Sequence, residues 1–205
     1  MRLSTQELVR AAMFAALMCV LTIMVRIFQP LVVIPFSLQP LVMLLAACLL
    51  SPRAAFLSML AYLGLGLIGI PVFSMPPYGG PAYVLVPSFG FILAFPIAAW
   101  VQSRLIKRVD WLNFIGSGLA GIAVMYAIGL VYMYFILNFY LGHTVDVLKV
   151  LELGFIPYFT FDLIKLVLAS WLGLELSRRL DIKRESIGVN ELETAAEIET
   201  DMPQA

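Results

Sequence analysis

Asp162 and Lys165 are the residues of this chain best placed to do chemistry, because they stand in the stretch 157–168, which is otherwise apolar and uncharged. Three positions apart on a helix, they share a face and are able to touch. A charge inside hydrocarbon costs about 2.5–3.5 kcal/mol on insertion scales, so such groups persist when paired, buried in a bundle, or used. An ion pair that only locks two helices together satisfies the same arithmetic. Intramembrane ionisable residues are functional candidates by default, and that favours a site.

The other reactive side chains point away from catalysis. Ile115-Gly116-Ser117-Gly118 has the outline of a serine-nucleophile loop, yet His143 is the only histidine. About 25 residues at a rise of about 1.5 Å each keep that imidazole far beyond hydrogen-bond reach of Ser117. Gly116, Gly118 and Gly121 read as helix-packing positions, and His143 as a solvated loop residue. Cys19 and Cys48 both lie in apolar runs without a histidine nearby, so neither a disulfide framework nor a metal site is expected. No catalytic residue and no metal ligand is assigned. The chain has no phosphate-binding Gly-x-x-x-x-Gly-Lys-Ser/Thr loop, so any ATP hydrolysis belongs to separate subunits.

The elements that must position Asp162 and Lys165 follow from composition. Apolar residues make up 62% of the 205 positions and charged ones 13%, against roughly 45–50% and 25% in soluble domains. No charge falls between Arg53 and Arg104, or between Asp110 and Asp146. Long continuous apolar runs of this kind make helices rather than the short alternating strands of a membrane barrel. The zero net charge and the lack of a basic patch argue against nucleic acid.

At about 20 residues per span, six helices fit. They are expected over 8–24 or 8–28, then 41–50, 54–70, 88–101, 112–139 and 157–176. The N-terminal apolar run is longer than a signal-peptide core, so it reads as the first span. Residues 1–180 thus form an all-α, six-helix transmembrane substrate-binding domain. Residues 181–205, rich in Glu and Asp, are expected to form a disordered acidic cytoplasmic tail.

Two stretches break the pattern. Pro30, Pro35 and Pro40 interrupt 29–40, and a Pro/Gly-rich segment occupies 71–87. Irregular apolar backbone is tolerated at membrane depth only when it is buried or lines a cavity. With both termini cytoplasmic, six spans gather Arg53, Arg104, Lys107, Arg108, Arg178, Arg179, Lys183 and Arg184 on the inner side, leaving Arg26 and Lys149 outside. Both irregular stretches then lie outside, near the start of the last span and the Asp162–Lys165 pair. Phe36, Tyr78, Tyr83 and Phe89 are expected as apolar walls of an outward-facing pocket, with Gln39 and Ser88 as neutral hydrogen-bonding groups. In the first helix Ala11/Ala15 and Ala12/Ala16 form two small-x-x-x-small pairs, suited either to a partner helix or to packing inside this bundle.

These motifs resemble one family. Ile34-Pro35-Phe36-Ser37-Leu38-Gln39 is similar to the Val-Pro-Phe-Thr-Leu-Gln signature of biotin-specific S components, the BioY family, of energy-coupling-factor (ECF) transporters. The segment from Gly64 to Phe73 resembles the family's Leu-Gly-Leu-Ile-Gly-Leu-Pro-Val-Phe, and Asp162-Leu163-Ile164-Lys165 its Asp-x-x-Lys element. Where the family has Gly-Pro-Thr-x-Gly-Tyr, this chain reads Val86-Pro87-Ser88-Phe89-Gly90-Phe91. The resemblance implies uptake of biotin, as ligand and not cofactor, across a prokaryotic cytoplasmic membrane by a multi-pass, non-enzymatic binding subunit. It further implies a transmembrane coupling subunit, met through Ala11, Ala12, Ala15 and Ala16, and two ATPases. Asp162 would then accept from the ureido N–H groups, and Lys165 would donate to the ureido oxygen or the carboxylate. An S component for another vitamin, or a small self-contained carrier, are the competing expectations; a membrane enzyme ranks below both.

Overall fold

The structure, a computed structural model, describes residues 4–28 and 37–180. Phe36 and the acidic segment 181–205 therefore lie outside the described residues. Among the described residues seven α-helices run in chain order: α1 (Thr5–Phe28), α2 (Gln39–Leu49), α3 (Pro52–Leu67), α4 (Phe89–Leu105), α5 (Trp111–Phe135), α6 (Val147–Gly154) and α7 (Ile156–Leu180). Among the described residues there is no strand.

The helix starts are written in local chemistry. Ser4 and Glu7 form a reciprocal cap on α1, with the Glu7 amide donating to Ser4 Oγ at 3.2 Å and the Ser4 amide to Glu7 Oε2 at 3.1 Å. Asp110 caps α5 by accepting from the Asn113 amide at 2.7 Å. Asp146 does the same for α6, accepting from the Lys149 amide at 2.9 Å. Proline at the first turn starts α2 and α3, where its missing N–H costs nothing.

The apolar helices are unequal. α1, at 24 residues, and α5 with its π-helical continuation to Tyr140, at 30 residues, are each long and apolar enough to cross a membrane. α6 and α7, bent by 45° at their junction, together make a third such segment, while α2, α3 and α4 are shorter apolar helices. Several boundaries differ from the sequence expectation, two of them with a local cause. Between the spans expected over 112–139 and 157–176 lies a further helix, α6, because Asp146 starts a helix only eight residues long that leaves no long apolar run to read. The span expected over 88–101 continues to Leu105, carrying Arg104 in its last turn.

Close approaches between helices rest on glycine. A Cβ on Gly118 of α5 would stand 2.2 Å from Leu166 Cδ1, and one on Gly90 of α4 would stand 2.3 Å from Tyr132 Cβ. Gly121 is likewise pressed on Gln102, whereas Gly116 faces open space and is not a packing position.

Polar contacts fix the ends of the bundle. Ser51 Oγ, in the α2–α3 turn, donates to Glu7 Oε1 at 2.5 Å, and Ser103 Oγ of α4 donates to the Leu50 carbonyl at 2.7 Å. The start of α1, the α2–α3 turn and the end of α4 therefore share one end of the molecule. Arg53, Arg104, Lys107 and Arg108 belong to these turns. At the opposite end lie the start of α2, the 71–88 connection and the first turns of α7.

Candidate substrate-binding site

At that opposite end a cavity of about 340 Å³ opens, within the ~300–1,000 Å³ typical of small-molecule sites. α7 contributes Tyr158, Phe161, Asp162 and Lys165; α5 contributes Met125, Tyr126 and Met133; α4 contributes Phe91, Ile92 and Phe95. The irregular segments add Ser37, Ser74, Met75, Pro87 and Ser88, and the first turn of α2 adds Gln39 and Pro40.

Asp162 and Lys165 are the charged groups of this cavity and are almost fully enclosed, at 3% and 6% exposure. Lys165 Nζ lies 2.8 Å from Asp162 Oδ1, as three-residue spacing on a helix permits. Tyr126 Oη, from α5, donates to Asp162 Oδ2 at 2.6 Å. Each carboxylate oxygen thus has one donor and keeps room for another. The pair is neutral as a unit, which lets it sit in apolar surroundings. Removing either member leaves an uncompensated charge.

The Tyr126 ring is held by aromatic neighbours. It packs edge-on against Phe155 and Phe91, with centroids 5.0 and 5.7 Å apart, and Phe155 stacks on Phe159 at 4.6 Å. Such offset and T-shaped contacts fix a ring more tightly than area alone. On another wall Gln39 is tied at both ends of its amide. Ser37 Oγ donates to Gln39 Oε1 at 3.0 Å, and Gln39 Nε2 donates to Tyr62 Oη at 2.5 Å.

Four of the residues expected from sequence meet at this cavity: Asp162, Lys165, Gln39 and Ser88. Three do not. Tyr83 is fully buried in the core, 4.4 Å by centroid from Phe73, and Phe89 packs beside both. Their rings turned to the bundle because an irregular segment needs apolar anchors of its own. Tyr78 stays on the outside of its loop beneath the Arg26 guanidinium, 4.5 Å from its ring centroid. Sequence reasoning missed Tyr126, Met125 and Phe95. Tyr126 lies 36 positions from Asp162, and nothing in a one-dimensional apolar run announces which of its residues faces another helix.

The alanines of α1 divide. Ala11 and Ala15 are buried in the bundle, at 4% and 3% exposure, whereas Ala12 and Ala16 are exposed. His143 is exposed, and Ser117 Oγ donates to the Phe114 carbonyl at 3.1 Å within its own helix. Cys19 is half-buried and Cys48 buried, with Gln102 Nε2 donating to Cys48 Sγ at 3.5 Å, and no cluster able to hold a metal ion occurs among the described residues.

The family model described as the BioY family matches residues 1–182. The chain belongs to the BioY family. Its BioY relatives include the "Probable biotin transporter BioY" of Lysinibacillus sphaericus, 40% identical over 162 residues, covering 78% of this chain and 80% of the relative. The "Biotin transporter BioY" of Thermotoga maritima is 35% identical over 181 residues, covering 87% of this chain and 99% of that one. Among solved structures, the S-component for biotin from an ECF-type ABC transporter superposes with a TM-score of 0.68 at 23% identity. That match covers 86% of this chain and 95% of the other, so the BioY chain shares its all-helical fold.

Proposed function

We propose that this protein is the biotin-binding subunit of an ECF-type transporter, capturing biotin outside a prokaryotic cytoplasmic membrane. The observation that carries the reading is the enclosed Asp162–Lys165 pair at the wall of an otherwise largely apolar cavity, in a chain whose relatives are named biotin transporters. Biotin offers two ureido N–H donors and a carbonyl acceptor, an apolar thioether ring and a valerate carboxylate. Asp162 accepts from the ureido N–H groups through the lone pairs that Tyr126 and Lys165 leave open. Lys165 donates to the ureido oxygen or to the carboxylate. Charge-assisted hydrogen bonds of this kind are about twice as strong as neutral ones. Phe91, Ile92, Phe95 and Met125 cover the hydrocarbon part.

Capture here involves no covalent step. Transport requires energy from elsewhere, since the sequence has no nucleotide-binding loop. The chain works with a transmembrane coupling subunit and two ATPases. The exposed Ala12 and Ala16 offer α1 a surface that another helix can approach closely. The basic turns at the end away from the cavity face the cytoplasm.

The test is saturation binding of radiolabelled biotin to detergent-purified protein, with unlabelled thiamin and riboflavin as competitors. Saturable binding displaced by biotin alone is expected. Binding of thiamin or riboflavin in place of biotin would reassign the substrate.

A further inference from the structure

Arg26 stands at the outer end of α1, and Tyr62 is wholly buried on α3; neither lines the cavity. Both grip the segment that follows α3. Arg26 Nη1 donates to the Pro71 carbonyl at 2.8 Å and to the Phe73 carbonyl at 3.3 Å. Tyr62 Oη donates to the Val72 carbonyl between them, at 3.0 Å. Three successive backbone carbonyls are thus each held by a side chain from a helix. The same guanidinium lies over the Tyr78 ring, at the far side of the loop.

The segment held this way carries Ser74 and Met75, which form part of the cavity wall. It closes on itself through the Phe73 amide, which donates to the Tyr78 carbonyl at 2.8 Å, and it returns to α3 through the Gly80 amide, which donates to the Gly66 carbonyl at 2.7 Å. Tyr78 takes a φ of 68°, an arrangement unfavourable for a bulky residue. External contacts must hold it there, and Arg26 supplies one. Tyr62 has a second partner: its hydroxyl accepts from Gln39 Nε2, and Gln39 also lines the cavity. One hydroxyl therefore joins a cavity-lining amide to the backbone of the loop that forms another part of the wall.

We infer that Arg26 and Tyr62 are positioning residues for the substrate site: they set the 71–80 loop, and with it Ser74 and Met75, against the bound molecule. Arginine suits the task because one planar guanidinium reaches two carbonyls while stacking on an aromatic face. Lysine offers a point charge without the plane. Tyrosine suits the other position because its hydroxyl accepts and donates at once. A loop set in advance loses little freedom when substrate arrives, so the clamp acts mainly on how long substrate stays.

The inference about retention rests on the biotin reading, so the test carries a ligand-free arm as well. Amide hydrogen exchange across 71–80 is measured on purified wild type, Arg26→Ala, Arg26→Lys and Tyr62→Phe, followed by the dissociation rate of radiolabelled biotin from each. Arg26→Ala is expected to speed exchange at Phe73 and Gly80 while α5 amides stay as in wild type, and to speed biotin release about tenfold, the equivalent of one lost charge-assisted hydrogen bond. Arg26→Lys should fall between wild type and Ala, and Tyr62→Phe should speed both processes. Wild-type exchange at 71–80 in Arg26→Ala overturns the clamp, and so does faster exchange with unchanged biotin release. If wild type binds no biotin, the substrate reading fails, and the clamp then stands or falls on the exchange arm.

Discussion

Tyr126 Oη sits 2.6 Å from Asp162 Oδ2, joining α5 to α7 at the wall of the cavity. That hydroxyl and Lys165 approach the carboxylate from different helices, so Asp162 is aimed before any substrate arrives. Pre-aimed groups lose little side-chain freedom on binding, and affinity gains accordingly. Tyr126→Phe keeps the ring and its contacts with Phe155 and Phe91 but removes the donor. Biotin affinity should fall about tenfold, with thermal stability little changed, since one net hydrogen bond is worth about 1 kcal/mol and the carboxylate keeps Lys165 on its other oxygen, Oδ1. Isothermal binding titration and an unfolding curve on the same sample check both halves.

The pair itself should show in stability as a mismatch between single and double variants. Lys165→Met strands a buried carboxylate and is expected to cost about 3–5 kcal/mol. Adding Asp162→Asn removes the stranded charge and should restore most of the loss. Thermal unfolding in detergent reads this directly, and a double variant less stable than Lys165→Met would contradict it.

Gly90 places α4 against α5 one residue before the cavity-lining Phe91. A Cβ there would stand 2.3 Å from Tyr132 Cβ, an atom too near the backbone to swing aside. Gly90→Ala should cost about 1–3 kcal/mol through overpacking and weaken biotin binding by shifting Phe91. Unchanged unfolding temperature and affinity would show that the two helices can part without consequence.

The two faces of α1 should separate by experiment. Ala15→Leu adds volume to a buried position and should destabilise the protein. Ala12→Leu with Ala16→Leu adds it on the exposed face, and should leave biotin binding by the isolated subunit intact while impairing ATP-driven uptake by the assembled transporter. Uptake assays in cells, paired with binding to purified protein, distinguish the faces.

The sequence made the helical class and the Asp162–Lys165 contact readable, because both depend on local rules: apolar run length and helical spacing. It also put Gln39 and Ser88 near the cavity wall where the structure has them, since irregular apolar backbone has few places to lie in a membrane protein. Tyr126 was not readable, because its partner lies on another helix and its own segment is apolar on every side. Tyr83 and Phe89 were misplaced for a related reason. An aromatic ring in a proline-rich stretch can serve the core or the cavity, and only the packing of Phe73 between Tyr62 and Tyr83 decides it.

Equilibrium binding of radiolabelled biotin to purified wild type and to the Asp162→Asn/Lys165→Ala double variant addresses the central claim most directly. The double variant should remain folded in the membrane and lose saturable binding over the concentration range that fills the wild type. Wild-type binding by the double variant would remove Asp162 and Lys165 from the site.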